Sequence, residues 1–425
     1  MNRRALTFVR ALAPLGARAV LALSVLAAPQ VALAQPAPVP PESAAAHPDL
    51  RLTGVEALKR VRAGAPELRV ARDRQGIARA EIGVAGVLPN PVIIAGTSTQ
   101  AAKLSLGASL AIPILGQRGA TIAASRAESE TVRVEGEITW TEVRAGAARA
   151  YVQLWLAQER AVARREGALI ATRIDDAVAA RVELGAAPEV DGLRTRAERL
   201  RSEADAREAD ELVDAAASQL GFYLGTTDAV RADGEYTVPA EAPALPALAS
   251  KIDTTPLVRR ETSDARAADA RVDREKALAR PTPVVELGTD IGDPTLPANN
   301  YRATIAIDVP LLSMRGAQID RERAFAAAAR SRASVEMARG RAGLTSAYHT
   351  FVAADARAKT LRTGVLVAAE AAARATEESY ALGRAQLVAV LDASRTRLDT
   401  RLTLAEAIAT RAQAWIEIEH LLGTP

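Results

Sequence analysis

Two stretches of the chain alternate apolar and polar positions, and each leads into an alanine-rich run without proline. In 104–112, Leu104, Leu106, Ala108, Leu110 and Ile112 alternate with Ser105, Gly107, Ser109 and Ala111. In 301–309, Tyr301, Ala303, Ile305, Ile307 and Val309 alternate with Arg302, Thr304, Ala306 and Asp308. A period of two predicts a strand with one apolar and one polar face. Pro113 and Pro310 end these strands, because proline cannot donate to a sheet ladder. Arg118-Gly119 and Arg315-Gly316 then lead into helical runs. Pro113 and Pro310 stand 197 residues apart, as do Gly119 and Gly316, which marks a tandem duplication.

The rest of the pattern follows the same order twice. Thr53 with Glu56 forms a capping box for a first helix, and Pro66 with Glu67 opens a second. Leu88-Pro89-Asn90-Pro91 breaks that helix before a strand predicted over 92–99 and a turn over 100–103. From Gln117 to Leu184 there is no proline, and Ala147, Tyr151, Leu154, Ala157 and Ala161 form a coiled-coil-like seam. A helix of that length reaches on the order of 100 Å. Leu184-Gly185 closes it, Gly185 sitting where a positive φ is wanted. Pro188, Glu189 and Asp191 open a return helix that ends at Leu224-Gly225-Thr226.

In the second copy, Pro281-Thr282-Pro283 precedes a strand predicted over 284–291. Leu344, Tyr348, Phe351, Ala354 and Ala358 repeat the seam at an offset of 197. Leu382-Gly383 and Leu422-Gly423-Thr424 repeat the helix ends at an offset of 198. The expected organisation is a signal peptide over 1–34, a disordered lead over 35–50, a first repeat over 51–226, an equatorial connector over 227–255 and a second repeat over 256–425.

Composition sharpens this picture. Only 13 of the 425 residues are aromatic, too few for several compact cores, whereas alanine and arginine favour long helices in close contact. Residues 1–34 carry four arginines and no acid, an apolar run over 19–28 and an Ala32-Leu33-Ala34 cleavage site, the marks of export. Without them the balance is 50 basic to 51 acidic residues, interleaved rather than clustered, which gives no nucleic-acid footprint. There is no cysteine, so there is neither a disulfide nor a thiolate nucleophile. His47, His349 and His420 have no partner at metal-ligand or catalytic spacing. No enzyme, cofactor or metal site is expected.

Four strands of about ten residues cannot close a membrane barrel, which needs about eight or more. Left open in lipid, their edges would hold unpaired backbone groups. The expectation is a mainly α chain whose four transmembrane strands join those of sister chains in a trimeric 12-stranded barrel, about 12 strands being a permitted even number. A long coiled-coil helical barrel then continues the cylinder. The strand positions are represented by Val92, Ile94, Leu104, Leu106, Leu110, Val285, Leu287, Tyr301, Ile305 and Ile307. The strand-to-helix junctions are Pro113, Gly119, Pro310 and Gly316. Arg302, Thr304, Asp308, Ser105 and Ser109 are expected to line a wet lumen.

Several motifs keep the order of a known family: Ala65-Pro66-Glu67-Leu68, Leu88-Pro89-Asn90-Pro91, the proline and glycine exits from both second strands, Tyr380-Ala-Leu-Gly383 with Val390-Leu391-Asp392-Ala393, and the terminal Leu-Leu-Gly423-Thr. With the duplicated spacing, the chain resembles the TolC family of outer-membrane efflux proteins, in particular its shorter, heavy-metal-efflux-like members. The resemblance implies a homotrimer in outer-membrane lipid with its helical tunnel in the periplasm. Such a duct works with a periplasmic adaptor and an inner-membrane pump of the RND or ABC type, and takes no nucleic acid. It also implies a periplasmic gate at the helix-hairpin tips, where Asp191 and Tyr380 take part and Arg384 substitutes for a basic partner that would fall on Ala385. A carboxylate ring falls on Asp392, its second position being Ala389. Leu184, Gly185, Leu382 and Gly383 would form the tips for adaptor docking. The function implied is an efflux exit duct; a type I secretion duct and a periplasmic coiled-coil scaffold or adaptor are the alternatives.

Overall fold

The structure is a computed structural model that describes residues 50–97, 103–297, 300–310 and 314–424. The expected signal peptide, most of the lead, His47 and the end of the first predicted strand lie outside the described residues.

The first copy begins with β1 (Leu50–Leu52), α1 (Gly54–Gly64) and α2 (Pro66–Ala85), followed by β2 (Val92–Gly96), β3 (Leu104–Ala111), α3 (Gln117–Glu183) and α4 (Glu189–Leu224). A connecting region holds β4 (Val230–Ala232) and α5 (Leu245–Ala249). The second copy has α6 (Pro256–Leu278), β5 (Thr282–Ile291), β6 (Arg302–Asp308), α7 (Gly316–Thr360), a π turn at Leu361–Val365, α8 (Leu366–Ala381) and α9 (Leu387–Leu421). The capping box at Thr53 is present: the Glu56 amide donates to the Thr53 hydroxyl, and the Thr53 amide donates to the Glu56 carboxylate at 2.9 Å.

All four helices that end in Leu-Gly close in the same way. The glycines at 185, 225, 383 and 423 have φ between 62° and 71°. The amide after each glycine bonds back five residues, as Ala186 does to the Arg181 carbonyl and Arg384 to the Ser379 carbonyl, both at 2.8 Å. Only a residue without Cβ enters that turn at little cost, so the repeated dipeptide is a conformational requirement.

The predicted seam is the core. Tyr151, Leu154, Ala161, Leu344, Phe351 and Ala358 are buried, with Ala157 and Tyr348 half-buried. The main cluster joins α1, α3, α4 and α9 to β1 and β4. Those two strands pair in parallel, Leu50 with Val230 and Leu52 with Ala232. This second sheet was not expected. Strands of three residues are too short to show a period. Gln158 ties α3 to β4: its amide nitrogen donates to the Ala232 carbonyl, and its carbonyl accepts from the Ala232 amide. The Tyr151 hydroxyl donates to the Gly234 carbonyl at 2.9 Å, and burial pushes that phenol up to about 12.

Alanine helices approach closely but bury little apolar area each, and arginine–carboxylate pairs fill the contact between α6 and α7. Glu261, Glu275 and Glu322 are buried, and each is held by two or more arginines. Burial raises these carboxyls, but the hydrogen bonds and charges of the arginines outweigh it and leave them below their ordinary value. A ladder of more exposed pairs joins α3 and α4 to α9: Arg149 with Glu417, Arg160 with Glu406, Glu166 with Arg401 and Glu198 with Arg395. Partner numbers rise on α3 as they fall on α9, the register of an antiparallel pair.

Candidate functional site: a two-faced sheet and two helical tips

The strands of both copies form one antiparallel sheet in the order β2-β3-β5-β6. β3 pairs with β5, so the duplicated hairpins are fused side by side. Directly opposed residues share a face, and the register therefore sorts the side chains. One face carries Ser105, Ser109, Glu286, Asp290, Arg302, Thr304 and Asp308. The other carries Leu104, Leu106, Leu110, Val285, Leu287, Ile305 and Ile307. Val92 and Ile94 oppose Ser109 and Gly107 and so lie on the polar face, whereas Ile93 and Ala95 lie on the apolar one. The first strand has apolar residues on both faces, so its own alternation could not decide between them; the pairing did.

The polar face is a network. Ser105 donates to Asp290 at 2.7 Å, and Arg302 reaches Asp290 at 3.2 Å and Glu286 at 3.6 Å. The apolar face is bare: Ile93 is 74% exposed, Ile305 72%, Leu287 60% and Ile307 58%. Tyr301, just before β6, is 87% exposed. Among the described residues both outer edges, β2 and β6, lack a strand partner. An apolar face with two open edges is unfavourable in water.

At the junctions, Pro113 and Pro310 follow β3 and β6 as expected. The first helix starts earlier than the Arg118-Gly119 signal suggests: Gly119 lies in its first turn, and the left-handed residue before it is Gly116, with φ 92°. In the second copy the helix starts at Gly316, and the left-handed position is Arg315, with φ 53°. Arg315 holds Glu275 at 2.5 Å, which ties the start of α7 to α6. The start of α3 is tied across to the second copy: Gln117 donates to the Pro281 carbonyl and Arg280 to the Leu115 carbonyl. Neither tie was read from the sequence, since each joins residues far apart in the chain.

The two tips present Leu184, 82% exposed, and Leu382, 67% exposed, beside Gly185 and Gly383. Asp191 sits half-buried in the first turn of α4; Arg384 and Asp392 are exposed. Among the described residues Asp191 and Arg384 make no side-chain hydrogen bond or ion pair. The contact that spans the tips belongs to Arg181, whose guanidinium lies over the Tyr380 ring at 5.2 Å from its centroid. The sequence points to Tyr380 but not to Arg181, a routine helix-surface arginine when seen alone. Further from the tip, Asp175 accepts from Thr195 and Arg199, both at 2.8 Å. Asp392 adds to the negative field around Arg395, which donates to Glu198 and holds that carboxyl below its ordinary value.

Among the described residues no group of His, Cys, Asp and Glu could hold a metal ion, and no helix is long and apolar enough to cross a membrane. No protein-family profile matches the chain. It is 26% identical over 348 residues to the cobalt-zinc-cadmium resistance protein CzcC of Cupriavidus metallidurans, covering 80% of this chain and 82% of that protein. Among solved structures it is similar to CusC, described by its transmembrane channel formation, at a TM-score of 0.73 and 15% identity over 88% of this chain and 92% of that one. It is also similar to the outer-membrane protein VceC of Vibrio cholerae, at 0.69 and 15% over 87% and 96%. The open-state MtrE outer-membrane channel of Neisseria gonorrhoeae matches at 0.68 and 16% over 87% and 88%.

Proposed function

We infer that this chain belongs to the TolC family of outer-membrane efflux channels and is the exit duct of a tripartite efflux system. The observation that carries the reading is the sheet: one bare apolar face, one charged face and two unpaired edges. Three copies, each setting β6 against the β2 of the next, satisfy every edge and close a barrel, its apolar side toward lipid and its polar side toward water. The long helices then continue the wall into the periplasm, where a membrane-fusion adaptor and an inner-membrane pump deliver the substrate. A passive duct needs no catalytic group.

The relative's name ties that protein to resistance to cobalt, zinc and cadmium. Passage of divalent cations suits the polar face, where Glu286, Asp290 and Asp308 outnumber Arg302. At the tips, Tyr380, Arg181 and Asp191 act as the periplasmic gate, with Arg384 and Asp392 at its rim, and Leu184 and Leu382 meet the adaptor.

The test is purification from outer membranes in detergent. The expected particle has the mass of three copies and forms pores in planar bilayers that favour cations over anions. A monomer that never conducts in any preparation refutes the duct.

A further inference from the structure

The two long helices are copies, yet only the second has a π turn. α3 is unbroken from Gln117 to Glu183, whereas α7 and α8 meet through Leu361–Val365, where the Leu366 amide donates to the Leu361 carbonyl five residues back. Burial locates the cause. Upstream of the turn, the core-facing residues Tyr151, Leu154 and Ala161 match Tyr348, Phe351 and Ala358 at an offset of 197. Downstream, the core-facing Ala171, Asp175 and Val178 match Ala369, Ala373 and Thr376, which are half-buried, buried and half-buried, at an offset of 198. At 197 their partners would be Ala368, Ala372 and Ala375, all exposed. One extra residue therefore lies between Ala358 and Ala369, and the π turn occupies that interval. An added residue would rotate everything beyond it by about 100° in an α-helix. A π turn takes the residue up locally and leaves both flanks in phase.

The turn also separates a fixed segment from a loosely held one. Leu361 packs on the main core and Arg362 pairs with Glu235 of the connecting region at 2.5 Å. The Thr360 and Thr363 hydroxyls donate to the Ala356 and Lys359 carbonyls. Beyond it, Ala373 is the only buried residue of α8, and the Arg181–Tyr380 contact ties its end to α3.

We propose that Leu361–Val365 is a single-residue insertion in the second copy and works as the hinge about which α8 and the first turns of α9 swing against α3 and α4 when the mouth opens. The swing rests on the duct reading; the insertion and the hinge do not. Gly364 is exposed and has no side chain, so its deletion removes the extra residue without removing a side-chain contact. A second variant replaces Thr360–Val365 by Ala-Arg-Arg-Glu-Gly, copied from 163–167 of α3. Deletion of Ala168 from α3, which has no spare residue, is the control.

The chain has no cysteine, so spin labels placed at Ala186 and Ala381 report the distance between the tips without interference. Both shortened second-copy variants should fold with wild-type helix content. Their inter-tip distance distribution should be at least about twofold narrower, with a lower open probability in bilayers. The Ala168 deletion should lose helix packing. If both shortened variants unfold as the control does, the insertion reading is overturned. An unchanged distribution in folded variants overturns the hinge. A wild-type protein that never conducts refutes the duct instead, and the label distances still decide the hinge.

Discussion

The duplication supplies its own mutational experiment at Asp175. In the first hairpin, the buried Thr195 hydroxyl donates to Asp175 at 2.8 Å, with Arg199 on the other carboxylate oxygen. At the offset of 198 the second hairpin has Ala373 for Asp175 and Ala393 for Thr195. One hairpin is pinned by a polar contact where the other packs alanine. Asp175→Ala removes a charge-assisted bond from a hydroxyl buried away from the surface, though Thr195 still reaches the Gly192 carbonyl at 3.1 Å. The expected cost is about 2–3 kcal/mol. Thr195→Ala, which leaves the carboxylate to Arg199 alone, should cost about 1.5–2 kcal/mol. The double variant reproduces the second hairpin, and removing both partners is nearly as mild as removing one. It should stay near about 2–3 kcal/mol, a coupling of about 1.5 kcal/mol. The assay is amide exchange over 171–180 and 192–200. Each 1.4 kcal/mol is about tenfold in protection, so Asp175→Ala should speed exchange by about 30–140-fold, with the double variant no faster than about 140-fold. Additive effects, or wild-type exchange in Asp175→Ala, would refute the claim that one polar contact pins this hairpin.

Other outcomes follow from the same contacts. If the tip latch works through the ring, Arg181→Ala and Tyr380→Ala raise bilayer conductance while Tyr380→Phe leaves it unchanged; Asp191→Ala raises it as well. Because Glu261, Glu275 and Glu322 sit below the ordinary carboxyl value of 4.5, their contribution to stability is complete above that pH and lost as pH falls through their lower folded values. Thermal melts should be flat from neutral pH to about 5 and fall steeply below about 4. Glu275→Gln should cost about 2–3 kcal/mol in denaturant unfolding, since Arg274 and Arg315 lose a charged acceptor. Gly185→Ala and Gly383→Ala force a Cβ into the left-handed region and should each cost about 1 kcal/mol, read as faster exchange at the adjoining helix ends.

Periodicity along the chain was enough for the two-fold repeat, the long helices, their seam, a strand at each proline pair and the repeated Leu-Gly helix ends. These are local properties: a residue's side-chain direction in a strand or helix depends on its neighbours within one turn, and proline or glycine acts on its own backbone. Even the shift from 197 to 198 was visible in the spacing, although the turn that absorbs it was not. Only the tertiary structure could decide that β3 pairs with β5, that Val92 and Ile94 share the charged face, that Leu50–Leu52 pairs with Val230–Ala232, and that Arg181 rather than a residue nearer the turn meets Tyr380. Each depends on the register between segments tens to hundreds of residues apart. That register is set by the total of packing, hydrogen bonds and paired charges along the contact, and no single stretch of sequence contains that total.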